Sequence, residues 1–155
     1  MSHLPDLKSV LECIAEHTRR KETVVFTNGC FDVLHVGHVR YLSQARGLGD
    51  RLVVGINTDQ SIKRLKGPLR PINSENDRLE VLLGLKAVDY AILFDEDTPE
   101  NLIKQIRPQF LVKGGDWPVE KIVGAEFVRS YGGTVLALPF YDGYSSTETI
   151  SKMQR

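Results

Sequence analysis

Val25-Phe26-Thr27-Asn28-Gly29-Cys30-Phe31-Asp32-Val33-Leu34-His35-Val36-Gly37-His38 runs from an apolar, β-branched stretch through a glycine turn into two histidines that flank a glycine. The first half has the composition of a buried strand, and from Val36 onward the spacing is helical, so both histidines fall at a strand-to-helix junction. Such a junction suits an anion. The first turn of a helix has backbone N–H groups without intrahelical acceptors and carries the positive end of the macrodipole. Gly37 admits close approach. His35 and His38, three residues apart, can point to one side of that turn and donate N–H groups to phosphate oxygens. Neither G-x-x-x-x-G-K-[ST] nor G-x-G-x-x-G occurs in the chain, which argues against a P-loop NTPase or a dinucleotide-binding domain. Taken alone, the histidine pair also fits a helix start with two solvated side chains. A zinc site is the weaker reading: Cys30 and the histidines supply at most three ligands, with no second Cys/His cluster to complete them.

The chain around this junction has 155 residues, enough for one domain with a real core, and its 20 basic residues balance 20 acidic ones. With no bulk charge, nothing points to a nucleic acid or a membrane surface, and an anionic ligand must be held by local geometry. Two cysteines, Cys13 and Cys30, no signal-like N-terminus and no apolar stretch near 20 residues read as a reduced, cytoplasmic protein.

Periodicity predicts alternating elements. A helix is expected over Leu4 to Thr18, then a charged linker from Arg19 to Glu22, a strand over about Thr23 to Asn28, a helix from Val36 to Gly47 and a strand from Arg51 to Ile56. A short basic segment, Ser61 to Lys66, precedes a loop marked by Gly67, Pro68 and Pro71. Ser74 with Asp77 resembles a capping box opening a helix to about Leu85. Further strands are expected at Tyr90 to Phe94, Phe110 to Lys113 and Thr134 to Leu138. Helices are expected after Thr98-Pro99, with Thr98 as N-cap, over Glu120 to Tyr131, and from Ser145. The pattern predicts an α/β fold: a Rossmann-like, doubly wound, parallel five-stranded sheet with helices on both faces. Residues 1–21 are read as an N-terminal helix and linker, and 22–155 as the domain. Ligands of such sheets bind beyond the carboxyl ends of the strands. Thr27 to His38, Asn57 to Asp59, Lys113 to Trp117 and Gly143 to Thr147 all follow expected strands and can converge on one mouth.

Each of these segments has a plain and a functional reading. Gly143-Tyr144-Ser145-Ser146-Thr147 can cap the last helix or place hydroxyls on phosphate beside its N-terminal amides. Lys63, Arg64, Lys66 and Arg70 form either a solvated face or the cations of a loop that closes over a substrate. Lys113-Gly114-Gly115-Asp116-Trp117 joins a permissive backbone to a carboxylate and an aromatic ring, which suits a flat base better than a plain turn. Asp95-Glu96-Asp97 reads only as acidic residues favouring the next helix start.

Gly29, Phe31, Asp32, His35, Gly37 and His38 together resemble the G-x-F-D-x-x-H-x-G-H signature of the cytidylyltransferase-like nucleotidyltransferases, with every position filled. Tyr144-Ser145-Ser146-Thr147 resembles the family's I-S-x-T motif, with Tyr for Ile. The chain departs from the family where many members place an arginine near that motif: it has Phe140 before it and Ile150 after it, so the cationic contacts must come from elsewhere. The resemblance implies catalytic roles for His35, His38 and Lys63 or Lys66. It implies nucleotide contacts by Thr27, Asn28, Gly29, Phe31 and Gly37, by Arg78 on the phosphates, by Lys113, Gly115 and Asp116, and by Tyr144, Ser145, Ser146 and Thr147. Asp32, Asp59 and Trp117 are expected near a sugar phosphate, no residue is assigned to a metal, and Mg²⁺ is expected to arrive with ATP.

The likeness extends from about Val24 to the end. With R-L-K-G-P-x-R-P-I-N, F-D-E-D-T-P and V-K-G-G-D-W, the chain is similar to the D-glycero-β-D-manno-heptose 1-phosphate adenylyltransferases. That resemblance implies transfer of AMP from ATP to a heptose 1-phosphate, giving ADP-heptose and pyrophosphate for lipopolysaccharide core or other heptose glycans. About twenty residues precede the domain, so a stand-alone adenylyltransferase is expected, with the sugar kinase on another protein. A homodimer or higher homo-oligomer is expected by analogy. The alternatives are a CTP-dependent glycerol 3-phosphate enzyme, a pantetheine-phosphate adenylyltransferase, or a non-catalytic nucleotide-binding module using the same mouth.

Overall fold

The computed structural model describes residues 4–139 and 145–154. Near-continuous apolar runs, whose successive side chains point to opposite faces, give a sheet buried on both sides. The strands are β1 (Val24–Gly29), β2 (Arg51–Asn57), β3 (Tyr90–Phe94), β4 (Phe110–Gly114) and β5 (Thr134–Leu138). They run parallel in the order β3-β2-β1-β4-β5. The order therefore reverses between β1 and β4, and the crevice beyond their carboxyl ends is the topological switch point at which such sheets bind ligands.

Helices α1 (Leu7–Arg19), α5 (Glu100–Ile106) and α6 (Ala125–Ser130) cover one face. Val10 and Ile14 of α1 pack there with Phe26, Ile103, Leu111 and Val128, so the N-terminal helix shares the core of the sheet. Helices α2 (Val36–Arg46) and α4 (Glu75–Leu83) cover the other face, where Leu42, Ala45, Leu79 and Leu82 meet Val25, Val54 and Val112. Two short helices, α3 (Asp59–Lys66) and α7 (Ser146–Met153), stand above the carboxyl ends of the strands. No helix among the described residues is long and apolar enough to cross a membrane.

Strands β3 and β5 begin and end where the sequence places them. Three helices differ from expectation. The short basic segment, given no secondary structure from sequence, is α3, because the Thr58 hydroxyl accepts from Ser61 N and Ile62 is fully buried. The helix expected from Glu120 to Tyr131 is broken into a 3₁₀ turn (Val119–Lys121) and α6. Gly124 sits between them at φ +87°, and a Cβ there would lie 2.8 Å from Ile103 Cδ1. Thr98 does not cap α5; Pro99 holds the cap position without a side-chain bond. Elsewhere the caps follow the sequence: Ser74 Oγ accepts from Asp77 N at the start of α4, and Asp6 does the same for Ser9 N in α1.

Candidate active site

The switch-point crevice is a cleft of about 540 Å³. Asn28 and Gly29 reach it from β1, Lys113 and Gly114 from β4, His35, Gly37, His38 and Tyr41 from α2, and Ser145, Ser146 and Thr147 from α7. Segments more than a hundred residues apart in sequence thus share one mouth, of a size suited to a nucleotide.

The turn out of β1 is tightly built. Phe31 adopts φ 48°, an uncommon conformation for a residue with a side chain. Its ring covers Gly29, where a Cβ would lie 2.9 Å from Phe31 Cε2, and it packs against His38 with centroids 5.3 Å apart. His35 is the N-cap residue of α2 and its ring stacks on His38 at 3.9 Å. The backbone N–H of His35 donates to Nδ1 of His38 over 3.3 Å. A ring nitrogen that accepts is unprotonated, so the neutral His38 ring carries its proton on Nε2. Burial, His35 and Lys66 push the His38 pKa down to about 4. His38 is therefore a neutral N–H donor at pH 7. Burial lowers the His35 pKa too, opposed by the negative charge of Glu148 on α7.

Helix α7 brings its own N-terminus. Ser145 Oγ accepts from Glu148 N at 2.9 Å, and Ser146 Oγ donates to Val33 O at 2.9 Å, pinning α7 against the β1–α2 turn. Tyr144 lies outside the described residues. Across the mouth, the Lys113 ammonium rests 4.9 Å from the Trp117 ring centroid, and Trp117 is exposed and lines the cleft.

Several residues singled out from sequence take other places. Thr27 is fully buried and shares a 2.7 Å hydrogen bond with the Tyr41 hydroxyl, so it supports the cleft wall from behind. Arg78 does not line the cleft: it is buried in the sheet mouth, where Nη1 donates to Cys30 O and Asn57 O at 2.8 Å, Nε to Asn73 O at 3.1 Å and Nη2 to Asp59 Oδ1 at 2.9 Å. Those four acceptors tie together the ends of β1, β2 and the loop before α4, and occupy four of the five N–H donors of the guanidinium. Asp59 is correspondingly the partner of Arg78 and does not line the cleft either. Gly115 is buried with its N–H on Leu138 O, and Asp116 is exposed outside the lining. Of the lysines on α3, Lys66 lines the cleft and Lys63 does not. Arg64 pairs with Asp97 at 3.2 Å and Asp95 at 3.9 Å, which gives that acidic run a partner beyond its place before α5.

Asp32 lines the cleft, yet its carboxylate faces the protein: it accepts from Arg70 Nε at 2.8 Å and from the backbone N–H groups of Ile72 and Asn73 at 2.9 Å. Burial opposes its ionisation, but these donors and the Arg70 charge hold its carboxyl below the usual range. Sequence reading passed over Tyr41 and weighed Cys30 only as a zinc ligand, and both line the cleft. Tyr41 was accessible to that reading, lying three residues beyond His38 on the same helix face. Among the described residues no group of three or more His, Cys, Asp or Glu could hold a metal ion. The cleft donors are N–H groups, which suit phosphate oxygens rather than a hard cation, so a Mg²⁺ here fits best as a passenger on nucleotide phosphates.

A parallel sheet whose switch point carries His-x-Gly-His on one helix N-terminus and a hydroxyl-rich second N-terminus opposite defines a nucleotidyltransferase. The chain belongs to the cytidylyltransferase-like family, whose model matches residues 26–152. It is 53% identical over 149 residues to the bifunctional protein HldE of Pseudomonas entomophila and 52% identical to that of Pseudomonas putida strain GB-1, covering 96% of this chain in each case. It spans about a third (32%) of the length of these curated relatives. Among solved structures it resembles the lipopolysaccharide core biosynthesis protein of Thermoplasma volcanium, at 35% identity and a TM-score of 0.62, over 80% of this chain and 99% of that one.

Proposed function

We propose that the protein transfers AMP from ATP to D-glycero-D-manno-heptose 1-phosphate, releasing ADP-heptose and pyrophosphate for lipopolysaccharide core or another heptose glycan. The observation that carries the transfer chemistry is the convergence of His35, His38 and the α7 N-terminus on one cleft with Lys66 beside them. The similarity to the HldE proteins and to the lipopolysaccharide core protein supports the acceptor.

A sugar phosphate is already an anionic nucleophile at neutral pH, so the reaction requires no general base. One of its oxygens attacks the α-phosphorus of ATP; a new P–O bond forms, the α–β phosphoanhydride breaks, and the electron pair leaves on pyrophosphate. The protein supplies in-line positioning and stabilisation of charge. His38 Nε2–H and His35 donate to phosphate oxygens, and Lys66 and the α7 amides balance the growing charge. The phosphates of ATP would carry any Mg²⁺, which would supply further charge screening there. Substrates of this kind go with a cytoplasmic enzyme.

The test is pyrophosphate release, with ATP or CTP offered against heptose 1-phosphate, glycerol 3-phosphate and phosphopantetheine. Turnover confined to ATP with heptose 1-phosphate is the expected result. Activity only on another pair discards the heptose assignment and keeps the class.

A further inference from the structure

Between α3 and α4 the chain runs as a strap, residues 67–73, that brings Arg70 to the cleft wall and is fastened chiefly to Asp32. Asp32, whose side chain is completely buried, accepts from Arg70 Nε and from the N–H groups of Ile72 and Asn73, while Asn73 Nδ2 donates to the Asp32 backbone carbonyl. With both oxygens occupied and its charge matched by Arg70, Asp32 can take a metal or a substrate hydroxyl only by breaking a buried pair.

Arg70 is less well satisfied. Its side chain is 13% exposed and lines the cleft, Asp32 is its salt-bridge partner, and Nη2 is sealed from solvent with no hydrogen-bond partner. A buried donor without an acceptor is costly and calls for an explanation. A guanidinium held at Nε presents its two terminal nitrogens as a flat fork, the shape that matches two oxygens of a phosphate.

The position of the strap selects which phosphate. Lys113, Trp117 and the α7 N-terminus stand on the β4–β5 side of the switch point, and the histidines stand at its centre above β1. Arg70 approaches from the β2 side, after α3. In-line displacement requires attacking and leaving groups on opposite sides of the α-phosphorus. A nucleotide filling the β4–β5 side and the centre leaves the β2 side for the acceptor.

We infer that Arg70 grips the phosphate of the acceptor sugar and that Asp32 is the positioning residue that aims it. The inference rests on the adenylyltransferase reading above and identifies where its second substrate binds. Asp32 thereby acts on the substrate only through Arg70.

The experiment is steady-state pyrophosphate release by wild type, Arg70→Met, Arg70→Lys, Asp32→Asn and the double variant Asp32→Asn/Arg70→Met, varying the sugar 1-phosphate and MgATP separately. ATP binding is read independently from the fluorescence of Trp117, the one tryptophan in the chain. Arg70→Met raises the acceptor KM about 10- to 100-fold, the worth of charge-assisted hydrogen bonds, and leaves the ATP Kd within about three-fold. Arg70→Lys keeps the charge without the fork and falls between, which also keeps the test open if the methionine variant fails to fold. Asp32→Asn raises the same KM, and the double variant is no worse than Arg70→Met alone. An acceptor KM within about three-fold of wild type in both Arg70 variants, or an ATP Kd that rises in step with it, overturns the inference. A wild type that is silent on heptose 1-phosphate but active on glycerol 3-phosphate removes the heptose assignment, and the KM comparison on that phosphomonoester then decides Arg70. A wild type inactive with every acceptor overturns both.

Discussion

The β1–α2 turn and the strap with its neighbour Arg78 both gather hydrogen-bond donors at the strand ends, and they are built in opposite ways. In the turn, the working contact joins His35 to His38, three residues away, and is fixed by helix geometry. In the strap region the contacts join Asp32 to Arg70, 38 residues away, and Arg78 to Cys30, 48 away. The first region places its histidines on the cleft wall. The second buries the charges of Asp32 and Arg78 against Arg70 and Asp59, and leaves only Arg70 Nη2 without a partner among these groups. A substitution in the turn should therefore cost turnover, and one beneath the strap should cost the fold.

The largest expected effect is at Arg78, 2% exposed with donors on three carbonyls and a carboxylate. Arg78→Met should destabilise the protein by about 3–5 kcal/mol in urea unfolding, because three backbone carbonyls lose their donor and Asp59 its partner. A loss below about 1 kcal/mol with a raised ATP KM would reverse the contrast and make Arg78 a substrate contact. Next comes His38→Ala, for which kcat should fall about a hundred- to a thousand-fold with little change in unfolding midpoint. A variant that keeps kcat within a few-fold would remove His38 from the chemistry.

Ser145→Ala tests whether the second helix N-terminus behaves like the first. It removes the acceptor for Glu148 N and should cost about 1 kcal/mol of local order, read as a several-fold rise in ATP KM. An unchanged KM would make the cap purely structural. The smallest effect is with pH. His38 titrates near 6.5 when unfolded and near 4 when folded, so between those values the unfolded chain binds the extra proton. Stability from this group is fully present above about 6.5 and declines as pH falls toward 4. Asp32, with its lowered pKa, adds a loss in the same direction at the acid end. His38→Gln should flatten the slope between pH 6.5 and 4 in urea titrations; an unchanged slope assigns it elsewhere.

The sequence was most legible where local signals agreed with packing. Strands β3 and β5 are short β-rich runs bounded by turn residues, and Ser74 announces α4 through its own side chain. It was least legible where a distant side chain decided the outcome. Helix α3 depends on the burial of Ile62, and the break before α6 on Ile103 occupying the space beside Gly124. Lys63, Arg64, Lys66 and Arg70 look alike as a run of cations. Folding gives Arg64 to Asp97, leaves Lys63 off the cleft, and brings Lys66 and Arg70 to its wall.

By itself, the sequence determined the parallel α/β architecture, the strand-to-helix junction and the histidines that stand on it. Hydrophobic period and helix geometry act over a few residues and leave little for the rest of the chain to change. Tertiary structure alone decided that Arg78 is a buried strut held to Asp59, that Asp32 faces Arg70, and that Arg70 lines the cleft with its Nη2 unpartnered. Whether a charge is free to meet a substrate depends on which opposite charge folding brings within about 4 Å, and a motif specifies the residue type but not that neighbour.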